Sequence, residues 1–518
     1  MNFKKIISVC AAGALAAGLL TACGTNNDKN AENDNGNAKV TIWTGSAAPS
    51  IDGYNSIYET PGYKQMVKEL GTELEYVYCT AGQEWEQFNL LLASGKFPDI
   101  VNFWWGQVPG GVDKLINSGI IYKMDAEFLK KNAPDFYKQL EENNIYDKAC
   151  KTDGGDYYQF PKFFDYQDGK DEPLYTNGFY MRKDWLDECG LQVPETIDEW
   201  HDALKAFKEK KGASSAFTSS MLPNGLEGAF GIMQTYYHDG NTIKFGPYED
   251  KYEDFLTTMH QWYEEGLIDQ NLVGITGKQV TSSVLNGKAG ATWGWLGSDF
   301  GTWINAAGGS LDMVGVQMPV ANKGDTAEYS IAQYPVLGQG SIISGKSANP
   351  ELLAKILNYG YSDAGHMLAN FGIEGESYTM DGDSPVYTDK ILHDENGLSV
   401  AKARQIYCIS PAGNYREDYR YIQQYYNLKE QQEAQEIWRS GNGKEHIIPE
   451  LAYTEAEADE RSKIVTTTNT YIEEMTSKFI IGLEPLEKFG EYKQHLKDLG
   501  IEKAISITQS AYDRYLSR

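Results

Sequence analysis

The sequence has few basic residues for its size, and this deficit excludes one large class of partners. Among 518 residues, 46 are Lys or Arg and 73 are Asp or Glu, which gives a formal charge of -27. Binding to a phosphate backbone depends on Lys and Arg side chains that displace counterions. The composition therefore predicts no nucleic-acid partner.

Cysteine is scarce as well, with six residues in the chain. Four of them lie far apart after the N-terminal region, namely Cys79, Cys150, Cys189 and Cys408. No CxxC pair occurs, and structural zinc sites need Cys or His ligands in close pairs. We therefore expect no metal site. One or two disulfides are compatible with this spacing, but we favour four buried free thiols.

Long apolar runs are also missing after the N-terminus, so the sequence predicts no transmembrane helix. The one apolar run, residues 6–20, follows Lys4 and Lys5 and precedes small residues, as in a secretory signal peptide. Leu20-Thr21-Ala22-Cys23 matches the bacterial lipobox, in which the Cys is acylated and becomes the first mature residue. We predict a signal peptide over 1–22, lipidation at Cys23, and a location on the extracytoplasmic face of the cell membrane. A plain signal peptide with a chance Cys is the alternative.

An Asn-rich stretch without large apolar residues follows, GTNNDKNAENDNGNA, residues 24–38. Such a segment buries too little area to offset its backbone entropy. We interpret residues 23–38 as a lipidated Cys with a flexible tether, and expect the folded body to begin near Lys39.

The body contains enough apolar material for a large core, since 41% of the chain is hydrophobic and 13% is aromatic. At this length two lobes are expected rather than one. Strand-like runs at 39–43, 74–79 and 98–105 alternate with helical patterns at 62–70 and 84–94. This alternation predicts a mainly parallel sheet, with Trp43 and residues 102–105 at the carboxyl edge where ligands bind.

A second strand-and-helix series begins near Gly178. Thr196 and Glu199 have the spacing of a capping box that opens a long helix. Strands are predicted at 179–182, at the TWGW run that ends in Trp295, and at 311–320 and 340–344. From Pro350 onward the pattern is mostly helical. The predicted fold class is α/β with a helix-rich C-terminal part.

Residues 340–347 (GSIISGKS) match the P-loop pattern letter by letter. A true P-loop opens a helix at its Lys-Ser pair. Here two Ile residues lie inside the loop and the next helix pattern starts at Pro350, so we interpret the match as a chance one.

An ordered set of short motifs carries a family resemblance. The motifs are LASGKFPD at 92–99, RKDWL with GL and PET at 182–196, EGLID at 265–269, GKAG at 287–290, GIEG at 372–375, FIIG at 479–482 and QSAYDRYL at 509–516. Together they resemble the family 1 extracellular solute-binding lipoproteins of ABC sugar importers, in the large lipoprotein branch.

The resemblance implies a two-lobed, type II periplasmic-binding-protein-like fold with a ligand cleft between the lobes. Lobe 1 would comprise 39–160 and 316–370, and lobe 2 would comprise 178–315 and 371–518. The segment 161–177 would cross between them, with further crossings near 311–316 and 360–371. Many large members of this family carry a calcium-binding loop after the helix that ends here near Lys211. The matching residues in this sequence are Gly212-Ala213-Ser214-Ser215, which contain no carboxylate. We therefore predict no calcium and no other cofactor.

The resemblance also implies a carbohydrate ligand, ABC permease subunits as partners, a lipid-anchored monomer and no enzymatic activity. Sugar rings are bound by aromatic faces and by amide or carboxylate groups that meet their hydroxyls. Two adjacent Trp residues cannot both point into the core, and Trp residues two apart on a strand share one face. The predicted ligand-binding residues are Trp43, Asn102, Trp104, Trp105, Asp165, Trp293, Trp295, Glu374 and Tyr378.

Two alternatives remain open at the level of sequence. A lipid-anchored glycoside hydrolase would need two facing carboxylates, which 73 acidic residues could supply. A protein of the same fold could also bind a peptide or another solute. The sequence does not name the sugar, its linkage or its length.

Overall fold

A computed structural model describes residues 39–164, 175–221, 225–330 and 332–518. The predicted signal peptide, Cys23, the tether and Asp165 lie outside these ranges. Residues Lys39–Arg518 form one compact unit. In the described part of the chain, no helix combines the length and apolar character that a bilayer span requires.

The strands of the described residues fall into two main sheets and two small hairpins. They are β1 Val40–Ala47, β2 Leu74–Cys79, β3 Ile100–Trp104, β4 Phe160–Phe163, β5 Asn177–Arg182, β6 Phe217–Thr218, β7 Tyr236–Asp239, β8 Thr242–Phe245, β9 Ala291–Trp295, β10 Met313–Val316, β11 Val336–Ile343, β12 Tyr378–Asp381 and β13 Ser384–Tyr387. The five-stranded sheet has the order β2-β1-β3-β11-β4, and the four-stranded sheet has the order β10-β5-β9-β6.

Helices cover both sheets and make up most of the chain after β11. They are α1 Pro61–Leu70, α2 Glu84–Ser94, α3 Gly111–Asn117, α4 Ala126–Asn132, α5 Pro134–Glu142, α6 Asn144–Ala149, α7 Lys183–Cys189, α8 Ile197–Lys211, α9 Lys251–Glu264, α10 Gly277–Leu285, α11 Thr302–Ala307, α12 Pro350–Tyr359, α13 Asp363–Asn370, α14 Asp389–Leu392, α15 Val400–Tyr407, α16 Tyr419–Tyr425, α17 Lys429–Arg439, α18 Glu455–Ile480, α19 Phe489–Asp498 and α20 Ile501–Ser517.

The first three strands run parallel, as the alternation of strands and helices predicts. Local signals set their connections, because α1 begins with the Thr60 cap and α2 ends where Gly95 adopts a left-handed φ of 63°. The prediction of a mainly parallel sheet is wrong for the rest, since β11 pairs antiparallel with both β3 and β4. β11 arrives from a distant part of the chain, so no short crossover helix fixes its direction.

Each main sheet has its own core, and we call the two resulting halves the first lobe and the second lobe. In the first lobe, Ile42 and Ile100 pack into a cluster on one face of the five-stranded sheet, while Trp43 and Phe103 pack on the other. In the second lobe, Phe179 and Tyr180 of β5 likewise join separate clusters on opposite faces. The alternation of side chains along a strand produces this division.

Three segments that connect the lobes lie side by side, and we call them the crossing region. Phe163 at the end of β4 donates its amide N–H to Tyr415 O at 2.9 Å, and its carbonyl accepts from Glu417 N at 2.8 Å. Phe164 N donates to Pro335 O at 2.8 Å. Backbone hydrogen bonds therefore join residues 163–164, 335 and 415–417 at one level of the molecule.

Two parts of the chain differ from the predicted lobe assignment. Residues 316–327, expected in the first lobe, pack in the core of the second, because Val320 exchanges backbone hydrogen bonds with Glu195 and Ile197. Residues 409–414, expected in the second lobe, return to the first, where Ala412 joins the core and its carbonyl accepts from Asn102 and Ser341. Both placements depend on long-range hydrogen bonds that no local pattern indicates.

The four body cysteines are free thiols, as we favoured. Cys79 and Cys150 are buried, but Cys189 and Cys408 are only partly buried, which corrects that expectation for two of them. The P-loop-like run is strand rather than loop, since Gly340–Ile343 belong to β11 and the next helix begins at Pro350.

Candidate functional site

A cavity of about 420 Å³ lies between the two lobes at the carboxyl end of β3, and we call it the interlobe cavity. It is lined by Trp104, Gly106, Gln107, Met233, Thr235, Tyr236, Ala332, Gly338, Ile447, Ile448, Pro449, Glu450, Leu451, Tyr453, Arg461 and Thr508. Four of these residues belong to the first lobe, namely Trp104 in β3, Gly106 and Gln107 in the turn after it, and Gly338 in β11. The remaining lining residues come from β7 and the segment just before it, from Ala332, from the loop before α18, from α18 itself and from α20.

The turn after β3 points one Trp into the cavity and the next into the core. Trp105 is 2% exposed, and its indole N–H donates to Gly340 O at 2.7 Å. This bond fixes the 3₁₀ turn Trp105–Gln107, so that Trp104 and Gln107 line the cavity. Trp104 packs edge-on against Phe103, with ring centres 5.3 Å apart, which leaves its ring only partly buried.

Glu450 approaches the cavity from the second lobe and places its carboxylate against glycines of the first. A Cβ added at Gly338 would lie 2.4 Å from Oε1, and one at Gly106 would lie 3.0 Å from Oε2. Burial raises the pKa of Glu450 to about 7, because the charged form loses hydration there. Glycine at both positions is what allows the carboxylate to come this close to the first lobe.

Arg461 lies on α18 between two tyrosine rings of the same cavity. Its guanidinium carbon is 4.8 Å from the centre of the Tyr453 ring and 5.1 Å from that of Tyr236. Its Nε donates to Thr508 Oγ1 at 3.0 Å. Cation–π contacts and this hydrogen bond therefore hold the guanidinium in place.

A second cavity of about 310 Å³ lies on the first lobe, and we call it the first-lobe cavity. It is lined by Ile42, Thr44, Ser46, Ile57, Tyr76, Tyr78, Asn102, Leu337, Gln339, Ile409, Ser410, Ala412 and Gly413. Asn102 Nδ2 donates to Ser341 Oγ at 2.9 Å, and its Oδ1 accepts from Gln339 Nε2 at 2.6 Å. The stacked Tyr76 and Tyr78 rings, 5.8 Å apart, add aromatic surface. The lining thus combines ring faces, hydroxyls and amides.

The comparison with known families agrees with this architecture. The family described as bacterial extracellular solute-binding protein matches residues 55–367. The chain belongs to this family. Its relatives include the fructooligosaccharide ABC transporter substrate-binding protein FusA of Streptococcus pneumoniae serotype 4, which is 23% identical over 488 residues, or 87% of this chain and 86% of the relative. Lipoprotein LipO of Bacillus subtilis is 26% identical over 292 residues, 53% of this chain and 54% of the relative.

Solved structures show the same fold. The crystal structure of the alginate-binding protein AlgQ2 without calcium ion has a TM-score of 0.75 at 23% identity, covering 92% of this chain and 98% of that one. FusA from S. pneumoniae in complex with kestose has a TM-score of 0.74 at 20% identity, covering 93% and 100%. The predicted family and the α/β two-lobed fold of a periplasmic-type solute-binding protein are therefore confirmed. As a member of the extracellular solute-binding family, the chain belongs outside the cytoplasm.

The structure of this solute-binding protein brings two of the predicted site residues to the cavities. Trp104 lines the interlobe cavity and Asn102 lines the first-lobe cavity. Trp295 ends β9 with 45% of its surface exposed, immediately before the π-helical turn Leu296–Gly301. Its backbone N–H donates to Asp299 Oδ2 at 2.9 Å, which fixes the turn below an accessible ring. A ligand contact at these three positions stays a prediction.

Four of the predicted aromatic residues lie in the core instead. Trp43 is 6% exposed and packs against Phe88 and Phe103, because its face of β1 is covered by α2. Trp105 is held by Gly340, as described above. Trp293 shares a face with Trp295 but is 6% exposed, and Tyr378 is 6% exposed beside Phe371. Their side chains are placed for packing here, and a ligand contact at these four positions stays a prediction that nothing yet tests.

Of the two remaining acidic candidates, the structure describes only Glu374, which is in neither cavity lining. Glu374 is exposed next to the β12–β13 hairpin, and Asp165 lies outside the described residues. Within the residues that the structure describes, no group of three His, Cys, Asp or Glu side chains could hold a metal ion.

Most polar groups of the interlobe cavity are not among the residues predicted from the sequence. Gln107, Tyr236, Glu450, Tyr453, Arg461 and Thr508 were all missed. Gln107 follows Trp104 closely enough to have been found as part of the same turn. The others come from a hairpin and C-terminal elements that carry no local signature, and only the fold brings them to β3.

Proposed function

We propose that this protein captures an oligosaccharide in the cleft between its lobes and delivers it to the permease of an ABC importer. The observation that carries the proposal is the interlobe cavity, to which both lobes contribute. Trp104, Tyr236 and Tyr453 provide ring faces for sugar C–H groups, while Gln107 and Glu450 provide hydrogen-bonding partners for hydroxyls. FusA and a polygalacturonan/rhamnogalacturonan-binding protein of Bacillus subtilis support a carbohydrate ligand by their names.

The proposed mechanism is closure about the crossing region. A ligand that contacts both lobes shifts the population toward the closed form, because it binds that form better. The closed form then docks on the permease. In this proposal one lobe comprises residues 39–160 with 316–370, and the other comprises 178–315 with 371–518. Residues 316–327 move to the second lobe and residues 409–414 to the first, as described above. The protein works as a monomer without a cofactor.

A thermal-shift screen against a panel of oligosaccharides tests ligand binding. A ligand that binds only the native state raises the melting temperature with its concentration. We expect at least one oligosaccharide to do so, and isothermal titration to give one site per chain. If every oligosaccharide in the panel leaves the melting temperature unchanged while a peptide raises it, the carbohydrate assignment is wrong.

Mass spectrometry of the incubated sugars separates a binding protein from a glycoside hydrolase. We expect the stabilising oligosaccharide to be recovered intact after prolonged incubation. Cleavage products that depend on the protein would overturn the non-enzymatic function.

We further propose that Cys23 carries the lipid anchor. The lipobox and the lipoprotein relative LipO support this assignment. In a bacterial host, labelling with a palmitate analogue should mark the wild-type protein in the membrane fraction. The Cys23→Ala variant should carry no label and appear in the soluble fraction, whereas an unchanged membrane fraction would contradict the anchor.

A further inference from the structure

The two cavities at the edge of the five-stranded sheet contain few charged groups. In the part of the chain that the structure describes, the lining of the first-lobe cavity includes no Asp, Glu, Lys or Arg side chain. Among the described residues that line the interlobe cavity, only Glu450 and Arg461 are charged. Besides aliphatic side chains, a ligand in either cavity would therefore meet ring faces, hydroxyls and amides, and at most one cation from the residues that the structure describes.

That one cation is already engaged with the protein. The Arg461 guanidinium lies between the Tyr236 and Tyr453 rings, and its Nε bonds to Thr508. A glycan built of uronic acids carries one carboxylate on every ring. Even if Arg461 met one of these, the next carboxylate would have no positive partner in the lining.

Glu450 adds a negative group at the point where the lobes approach each other. Its oxygens lie against Gly106 and Gly338, and no hydrogen bond or ion pair joins them to the residues that the structure describes. Burial at this position raises the pKa of Glu450 to about 7. A sugar hydroxyl that donates to this carboxylate replaces lost hydration, whereas a second carboxylate beside it adds like-charge repulsion.

From this distribution of charge we propose that the interlobe cavity selects uncharged glycans and rejects uronic-acid glycans, with Glu450 as the residue that determines the selection. The inference rests on the proposed carbohydrate-binding function and names the ligand class for it. Hydroxyl pairs of a neutral sugar would donate to the two carboxylate oxygens, which bridges the lobes through the ligand. The same carboxylate would exclude an acidic ring from that position.

The test uses the full-length protein and a matched pair of ligands. A thermal-shift panel of neutral gluco-, galacto-, manno- and fructo-oligosaccharides, oligogalacturonates and oligomannuronates first finds what binds. The primary hydroxyl of the tightest neutral ligand is then oxidised to a carboxylic acid, and isothermal titration compares the two forms. We expect the acidic form to bind at least tenfold more weakly, and the affinity of the neutral form to change little between low and high salt.

Two variants locate the selection. Glu450→Gln keeps the shape of the side chain and removes its charge, so it should reduce the preference for the neutral form by at least tenfold. Glu445→Gln, which removes an exposed carboxylate outside the cavity lining, should leave the preference unchanged. Circular dichroism and the melting temperature without ligand show whether each variant is folded.

The outcomes distinguish the inference from the function on which it rests. Uronates that bind as tightly as neutral glycans, or a preference that survives Glu450→Gln in a folded variant, would overturn the selection and leave carbohydrate binding intact. If no glycan of either class binds, both the proposed function and the inference are wrong.

Discussion

Lys162 and Glu417 form an ion pair inside the crossing region, although they lie in two different segments of the chain. Glu417 is 3% exposed, and Lys162 also lies over the Phe164 and Tyr415 rings. Burial disfavours the ammonium form, but Glu417 and Tyr415 together outweigh this effect and raise the pKa of Lys162. The pair joins β4 to residues 415–417 beside their shared backbone hydrogen bonds, so it stabilises the point about which the lobes would move.

Loss of one partner of this pair should be costly. Lys162→Met leaves the Glu417 carboxylate buried without its cation, which destabilises a protein by about 3–5 kcal/mol. Urea unfolding followed by circular dichroism measures the effect. The double variant Lys162→Met with Glu417→Leu should recover part of the loss, and Lys138→Met, from an exposed pair with Glu142, should change the unfolding free energy by less than about 1 kcal/mol. Equal effects at Lys162 and Lys138 would contradict this role.

Truncation of Trp295, which ends β9, and of Trp43, which lies within β1, should separate a ligand contact from a core contact. Trp295→Ala removes a ring that is 45% exposed, so we expect a small loss of stability and at least a tenfold loss of ligand affinity. Trp43→Ala opens a cavity beside Phe88 and Phe103 and should lower the unfolding free energy by about 3–5 kcal/mol. Titration calorimetry and urea unfolding on both variants provide the comparison. A folded Trp295→Ala variant with unchanged affinity would remove Trp295 from the site.

Glu227 should make the free protein less stable as the pH rises. The residue is fully buried, its Oε2 accepts from Gly225 N at 2.8 Å, and burial raises its pKa to about 8. In the unfolded chain this carboxyl has the ordinary pKa near 4.5. Between pH 4.5 and about pH 8 the folded state therefore binds more protons than the unfolded state. The free energy of unfolding falls across this range as the pH rises, by at most about 1.4 kcal/mol per pH unit.

Thermal unfolding between pH 5 and pH 8.5 measures this dependence. Glu227→Gln cannot lose a proton, so it should be more stable than the wild type at the alkaline end and nearly equal to it at the acidic end. Glu487→Gln, at an exposed position, serves as the control and should follow the wild-type profile. A wild-type stability that rises over this range together with an unaltered Glu227→Gln profile would refute the prediction.

Ligand affinity should increase with pH through Glu450. Sugar hydroxyls that donate to its carboxylate favour the ionised form, so binding lowers a pKa that is about 7 in the free protein and releases a proton. Affinity should rise by up to tenfold per pH unit below about pH 7 and level off above it. The other titratable groups around Glu450 are Arg461, Tyr236 and Tyr453 in the lining, and Tyr158, whose pKa the Glu450 charge helps to raise.

Calorimetry in two buffers of different ionisation enthalpy counts the released proton directly. Glu450→Gln should abolish both the proton release and the slope, and Glu445→Gln should retain them. Proton uptake on binding, or a slope that persists in Glu450→Gln, would show that Glu450 does not meet the ligand.

Much of the local structure could be predicted because neighbouring residues determine it. Thr196 and Glu199 form the predicted capping box, and the end of α2 at Gly95 follows from its left-handed conformation. The adjacency argument for Trp104 and Trp105 also predicted correctly that one of them leaves the core. The direction of β11 could not be predicted in this way, since a strand that arrives from far along the chain is oriented by the tertiary fold.

The sequence by itself determined the family, the α/β class and most helix and strand positions, because these depend on short-range periodicity, caps and ordered motifs. Only the tertiary structure decided which aromatic rings are accessible. Trp43 and Trp295 both belong to strands, but Trp43 is covered by other side chains and is 6% exposed, whereas Trp295 is 45% exposed. It also decided that Glu450 and Arg461 meet Trp104 at one cavity. Burial and the approach of distant segments are properties of the folded chain, and they set the charge that a ligand would encounter.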